Sequence, residues 1–127
     1  MDTHHYQGVW PVMITPFTAD GEIDYASLER LIAWYEHGGA TGLFAACQSS
    51  EIFYLSLRER VGLVRFVKQH AHVPVIASGH ISSGLTDQIE ELQSICQTGA
   101  DALILITNRL CDPSHREQSL LPRLQQI

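Results

Sequence analysis

Short runs of apolar residues alternate with amphipathic helical patterns along the chain. Four runs have the length and composition of buried strands, and they are Val9–Ile14, Gly42–Ala46, Val73–Ala77 and Ala102–Ile106. Each run precedes a longer segment in which apolar side chains recur at helical spacing. The runs are uniformly apolar rather than alternating, as in parallel strands that are covered on both faces. The pattern therefore predicts an α/β fold of about four β-α units with parallel strands.

Capping signals mark where the predicted helices begin. In chain order, the predicted caps are Asp24, Ser56, Thr86 and Ser114. Both serines are followed three residues later by a glutamate, which is the spacing of a capping box. In the third helix the predicted buried face is Ile89, Leu92, Ile95 and Cys96. The fourth helix carries Leu120, Leu121 and Leu124, and the sequence stops within it.

Two parallel α/β architectures fit four such units. A flavodoxin-like open sheet has about this length but usually five strands, whereas a (β/α)₈ barrel has eight units and about 250 residues. In the barrel case, residues 1–127 form one partial barrel, units 1–4, truncated in the fourth helix. Residues 39–44 also match residues 99–104, at an offset of 60 residues or two units. Periodicity alone leaves both architectures open.

Composition narrows the range of partners and compartments. The formal charge is −6 with only 8 lysines and arginines, which argues against nucleic acid or anionic membranes as partners. No apolar run approaches the roughly 18–20 residues of a membrane-spanning helix. The three cysteines form no CxxC or other metal-type spacing, so we expect no disulfide framework, no metal site and a reduced, cytoplasmic location.

Five blocks of sequence resemble the dihydrodipicolinate synthase/N-acetylneuraminate lyase family, and they are Gly8–Phe17, Asp20–Asp24, Gly42–Glu51, Val73–Gly79 and Gly99–Thr107. The resemblance covers nearly the whole chain in the right order. It implies the N-terminal half of a (β/α)₈ TIM barrel of the class I aldolase type. It further implies a lyase or aldolase that acts on pyruvate or another 2-keto acid through a lysine Schiff base, without a metal or organic cofactor. A homo-oligomer is expected.

The loop after the second strand carries the predicted substrate-binding residues. The family pattern there is Gly-Thr/Ser-Thr-Gly-Glu, and this sequence has Cys47-Gln48-Ser49-Ser50-Glu51. By the resemblance, Gln48, Ser49 and Ser50 bind the keto acid carboxylate, and Glu51 braces the loop. Gln48 stands where the family has a proton-relaying hydroxyl, and an amide cannot relay a proton in that way. Cys47 is interpreted as a structural residue.

Two further residues are candidates for the mouth of the site. His80 follows the third strand, and Arg109 follows the fourth, where it is positioned to hold a second carboxylate. The family's catalytic lysine and tyrosine correspond to positions beyond residue 127, so no catalytic residue is predicted in this chain. The only lysine, Lys68, lies in a polar stretch of the second helix, where it is not desolvated as a Schiff-base lysine must be.

Whether this chain is itself an enzyme is left open by the sequence. The alternative to a lyase is a non-catalytic, truncated half-barrel that only self-associates. Its first and fourth strands would present unpaired edges, and two copies would cover each other's edges.

Overall fold

A three-stranded parallel sheet is the centre of the computed structural model, which describes residues 6–110 and 116–127. The strands are β1 (Leu43–Ala45), β2 (Val75–Ala77) and β3 (Ala102–Leu103). They are adjacent in the order β1-β2-β3, with Leu43 opposite Val75 and Ile76 opposite Ala102. The predicted parallel α/β arrangement is confirmed.

Helices connect the strands in the expected alternation. They are α1 (Tyr25–His37), α2 (Leu57–His70), α3 (Leu85–Cys96), a short α4 (Thr107–Leu110) and α5 (Arg116–Leu124). Two 3₁₀ turns, Gln48–Ser50 and Ile52–Tyr54, lie between β1 and α2. Within residues 6–110 and 116–127, none of the helices has the length and apolar character that a membrane-crossing segment requires.

The first predicted strand, Val9–Ile14, is wrong as a regular strand. The segment runs parallel to β1 and makes a single bridge, between Val12 and Phe44. The amide of Met13 donates to Phe44 O at 3.0 Å, and the amide of Phe44 donates to Pro11 O at 3.0 Å. Pro11 has no N–H to contribute to a ladder, which limits the pairing that this segment can make.

The fourth predicted strand, Ala102–Ile106, is shortened to the two residues of β3. Ile104 still donates its amide to Ala77 O at 2.8 Å. The amide of Ile106, however, donates to the Nε2 atom of His80 at 2.7 Å instead of to a strand carbonyl. A side chain therefore takes the donor that would have extended the ladder.

The strand order decides between the two architectures. In a flavodoxin-like sheet the strand of the first unit lies between those of the second and third units. Here β1, from the second unit, pairs directly with β2, and the first segment bridges to the other side of β1. Consecutive neighbours of this kind are the order of a (β/α)₈ barrel.

Two of the predicted helix caps are confirmed, and one is wrong. The Asp24 carboxylate accepts from the amide of Ser27 at 3.0 Å. Ser56 and Glu59 form the reciprocal capping box that opens α2. Helix α3 begins two residues earlier than predicted, with Gly84 as its N-cap, so Thr86 lies inside the first turn. The fourth predicted cap, Ser114, lies outside the described residues.

Core packing differs from the faces predicted for the third and fourth helices. In α3, Gln88 and Glu91 are buried beside Leu92 and Ile95, while Cys96 is exposed. In α5, Leu121 is 68% exposed. Among the largest fully buried side chains are Met13, Leu28, Ile32, Leu43, Ile52, Val64, Val67, Val75 and Ile95. The buried polar groups of α3 therefore need partners, which α2, the loop after β2 and α4 supply.

Candidate active site at the C-terminal ends of the strands

An open groove of about 440 Å³ lies where the parallel strands end. Its lining comes from the segments that follow β1, β2 and β3, together with Val12 and Phe44. A larger groove, of about 790 Å³, lies among side chains on and beside α1, α2 and α3, away from the strand ends. Parallel α/β proteins bind their ligands outside the carboxyl ends of their strands, so the smaller groove is the candidate site.

The loop after β1 is held in a strained backbone conformation. Ala46 and Glu51, which flank it, have φ angles of 47° and 61°, and both are non-glycine residues. Such left-handed conformations are uncommon outside glycine and persist where the surrounding structure enforces them, often at functional sites. The amide of Glu51 donates to Gln48 O at 3.0 Å and so closes the 3₁₀ turn. This bond stabilises the turn, whose residues Gln48 and Ser49 line the groove.

The three predicted carboxylate-binding residues divide into two exposed and one buried. Gln48 and Ser49 are exposed and line the groove. Ser50 is 1% exposed, and its hydroxyl donates to Met13 O at 2.6 Å while it accepts from the amide of Cys47 at 3.1 Å. The structure therefore brings Gln48 and Ser49 to the groove, and it uses Ser50 to tie the loop to the first strand segment.

Two amide side chains meet at the groove. The Nε2 atom of Gln48 donates to the Oδ1 atom of Asn108 at 3.4 Å, which links the loop after β1 to the start of α4. The hydroxyl of Ser78, after β2, donates to Ala46 O at 2.7 Å and also lines the groove. Among the described residues, no charged side chain lines this groove. An anion in it would be bound by hydroxyl, amide and backbone N–H donors.

His80 is not exposed at the mouth. Its side chain is 0% exposed, and its Nε2 atom accepts from the amide of Ile106. Burial lowers the pKa of His80; the nearby Glu91 opposes this effect, and Arg109 and Arg60 add to it. The ring is therefore neutral at neutral pH.

Arg109 also points away from the groove. Its Nε atom donates to Ile81 O at 2.8 Å, and its Nη2 atom donates to the same oxygen. The guanidinium lies 5.3 Å from the centre of the Phe53 ring, within the range of a cation–π contact. The predicted role of Arg109, binding a second carboxylate, would require these contacts to be exchanged.

A buried polar network behind the groove was missed by the sequence reasoning. Arg60 and Glu91 form an ion pair at 2.8 Å, with side chains that are 3% and 7% exposed. Gln88 donates to Ser82 O at 2.7 Å and also to Arg109 O. A signal was available, because Gln88 and Glu91 occupy the same helical stripe as Leu92 and Ile95. The network joins α2 and α3 to the loop after β2 and to α4.

The only lysine lies at the opposite end of the strands. Lys68 Nζ is 2.6 Å from Asp101 Oδ2, and that oxygen also accepts from the amide of Val75, where β2 begins. The Lys68 amine is ion-paired at the end of the strands opposite the groove, and its side chain is 31% exposed. It is therefore neither desolvated nor near the groove.

Cys47 is buried under the loop, and Cys96 is exposed on α3; both are free. The Cys47 thiol lies 3.2 Å from the hydroxyl of Ser50 and 3.6 Å from Met13 O. These contacts fit the interpretation of Cys47 as a structural residue. Within the described part of the chain, no three His, Cys, Asp or Glu side chains are grouped as ligands of a metal ion would be.

Comparison with known proteins agrees with the geometry of the strand ends. A profile of the dihydrodipicolinate synthetase family matches residues 5–119. The chain belongs to this family. A 4-hydroxy-tetrahydrodipicolinate synthase of Bifidobacterium longum is 31% identical over 114 residues, which are 90% of this chain and 38% of that protein. The enzyme of the same name from Ruegeria pomeroyi is 35% identical over 113 residues.

Solved structures of the family share the fold. The dihydrodipicolinate synthase of Bacillus anthracis superposes with a TM-score of 0.80 at 27% identity, covering 94% of this chain and 41% of that one. A prophage protein of E. coli K12 from the dihydrodipicolinic acid synthase family, solved in complex with pyruvate, gives a TM-score of 0.78 at 26% identity, covering 96% and 42%. The chain thus corresponds to the N-terminal part of a TIM barrel and spans about two fifths of its relatives' length.

Proposed function

We propose that the chain is the N-terminal part of a lyase or aldolase that acts on pyruvate or another 2-keto acid. The observation that carries this proposal is the strained loop after β1, which presents Gln48 and Ser49 to an open groove at the strand ends. Membership of the dihydrodipicolinate synthetase family and the pyruvate bound to the E. coli prophage protein support it. In this proposal Gln48 and Ser49 hold the keto acid carboxylate, and the protein works in the cytoplasm.

The chemistry would proceed through a Schiff base on a lysine that this chain does not contain. Carbon–carbon bond cleavage or formation through an imine needs a neutral, nucleophilic amine near the bound keto acid. Lys68 is bonded to Asp101 at the other end of the strands. We therefore assign the imine to a lysine outside residues 1–127, in a region equivalent to the remaining length of the relatives. In this proposal, residues 1–127 bind the carboxylate of the keto acid and do not form the imine.

Borohydride reduction in the presence of pyruvate tests this assignment. We expect peptide mass spectrometry to find no trapped pyruvate on any lysine of the 127-residue chain. A longer product of the same gene should be trapped on a lysine outside residues 1–127. Trapping on Lys68, lost in the matched Lys68→Arg variant, would contradict the assignment. Absence of trapping on the longer product would contradict the proposed chemistry.

A second candidate function, a non-catalytic half-barrel that only self-associates, is favoured by the apolar side chains exposed on the first strand segment. Val9, Val12 and Ile14 are 63%, 46% and 55% exposed there. Several exposed apolar side chains close together on one extended segment form a surface on which another chain can pack. We expect the chain to sediment as a species larger than one copy in analytical ultracentrifugation. Ile14→Lys, at a position outside the groove lining, should shift it toward the monomer, and a concentration-independent monomer before substitution would rule this candidate out.

A further inference from the structure

The hydrogen bond to His80 fixes which ring nitrogen carries the proton. The amide of Ile106 can only donate, and it lies 2.7 Å from Nε2, so Nε2 is the unprotonated acceptor and the proton is on Nδ1. The Nδ1 atom is buried and has no hydrogen-bond partner among the described residues. A fully buried ring is thus held in place by one polar contact, to the backbone of Ile106.

That contact is made inside the wall of the groove. Residues 104–108 form the wall on the side of β3. The last ladder bond of this segment runs from Ile104 N to Ala77 O, and the bond from Ile106 to His80 follows it. Beyond the wall, Arg109 is bonded to Ile81 O. His80 therefore fastens the middle of a segment whose two ends are fastened by other bonds.

The backbone around Gly79 delivers His80 to this position. Gly79 has a φ angle of +126°, which side-chain-bearing residues rarely adopt, and an added Cβ would lie 2.9 Å from Ile95 Cδ1. At Gly79 the chain passes from Ser78, which lines the groove, to the buried His80. The sequence Ser-Gly-His after β2 places Ser78 in the lining of the groove and His80 against the segment that forms the groove wall.

We propose that His80 is a positioning residue whose neutral imidazole holds the groove wall of residues 104–108, so that protonation of the ring loosens the wall and weakens ligand binding. This proposal rests on the proposed function of the groove. An imidazolium has two N–H donors and no acceptor, so it would face the Ile106 amide donor to donor. The charged groups around the ring are Glu91 from α3, Arg109 from α4 and Arg60 from α2.

The direction of the pH effect follows from burial. Because burial lowers the pKa of His80 in the folded chain, the folded ring stays neutral as the pH falls past the value of about 6.5 at which an exposed histidine titrates. The contribution of His80 to stability is complete above that pH and decreases below it, toward the lowered pKa. The wall should be intact at neutral pH and should loosen only in more acidic solution.

Amide hydrogen exchange of Ile106, followed by NMR between acidic and neutral pH, tests the positioning role without a ligand. His80→Gln places an amide oxygen near the Nε2 position and does not titrate, whereas His80→Leu removes the acceptor. At neutral pH we expect His80→Leu to speed the exchange of Ile106 roughly 2- to 12-fold, the range of one hydrogen bond, and His80→Gln to restore most of the protection. Acidification should remove protection from the unmodified chain but not from His80→Gln, after correction for intrinsic exchange rates.

Two results would overturn the proposal. One is an imidazole ¹⁵N spectrum with the proton on Nε2 at neutral pH. The other is an Ile106 protection profile that has the same pH dependence in the unmodified chain as in His80→Gln. This comparison does not need His80→Leu, so it can be made even if that variant does not fold. Pyruvate titrations of the same samples distinguish a failure of the positioning role of His80 from a failure of the proposed function of the groove. Affinity that falls with acidity only when His80 is present supports both. No pyruvate binding to any sample, with the Ile106 results as expected, contradicts the function of the groove and supports the positioning role.

Discussion

Replacing Glu91 with alanine is expected to lower the free energy of unfolding by about 3–5 kcal/mol, the cost of leaving a buried charge without its partner. The side chains of Arg60 and Glu91 are 3% and 7% exposed, and their atoms Nη2 and Oε1 lie 2.8 Å apart. Without the carboxylate, the guanidinium would remain buried, with only Leu55 O as a described acceptor, at 2.8 Å. Urea denaturation followed by circular dichroism measures the loss.

The effect should extend to the loop after β2, because Glu91 is also its anchor. The carboxylate accepts from the amides of Ile81 and Ser82 at 2.9 and 3.1 Å, and from the Ser82 hydroxyl at 3.0 Å. Glu91→Gln keeps an oxygen acceptor of the same shape and removes the charge. We expect its stability to fall between those of the unmodified chain and the alanine variant, with faster amide exchange at Ile81 and Ser82.

Lys68→Ala is the matched control, because it breaks an ion pair whose side chains are 31% and 37% exposed. Exposed pairs contribute about 0–1 kcal/mol, since water screens them and ordering two side chains costs entropy. The substitution leaves Asp101 free to keep its bond to the amide of Val75. If Glu91→Ala were no more destabilising than this control, the buried pair would not have the role assigned to it.

Features encoded by neighbouring residues were predictable from the sequence. Asp24 caps α1, and Ser56 caps α2 with Glu59, because each cap depends on side chains within three residues of one another. The apolar runs gave the strands, but their lengths depended on contacts made elsewhere. Ile106 leaves the ladder because His80, 26 residues earlier, accepts its amide. No local pattern contains that competition.

The candidate site also combines features that the sequence predicts with features that depend on contacts between distant residues. The family pattern located the loop of residues 47–51, yet it could not distinguish the exposed Ser49 from the buried Ser50, because the hydroxyl of Ser50 donates to Met13 O, 37 residues earlier. Arg60 and Glu91 are 31 residues apart, so the position of Glu91 in the apolar stripe of α3 does not identify Arg60 as its partner. Residues that act through distant partners become visible only once the strands and helices are assembled.

Ser50→Ala should therefore destabilise the chain much more than Ser49→Ala, although the two serines are adjacent. Removing the Ser50 hydroxyl takes the acceptor from the Cys47 amide and leaves the Met13 carbonyl with only the longer, 3.6 Å contact to the Cys47 thiol. Buried groups left without partners cost about 1–3 kcal/mol, so we expect a loss of that size in urea denaturation. Ser49 is exposed, and its replacement should change stability by less than about 0.5 kcal/mol.

For pyruvate binding, measured by ligand-detected NMR at neutral pH, we expect Ser49→Ala to have the larger effect of the two substitutions. Ser49→Ala removes a donor from the groove and should weaken binding while the chain stays as stable as before. Ser50→Ala, measured well below its unfolding midpoint, should weaken binding only as far as the loop shifts. Equal stability losses from the two substitutions would contradict the division of roles, because one hydroxyl is an internal tie and the other faces solvent. Unchanged pyruvate binding in Ser49→Ala would instead remove Ser49 from the carboxylate site and leave Gln48 as its remaining exposed side chain from the loop of residues 47–50.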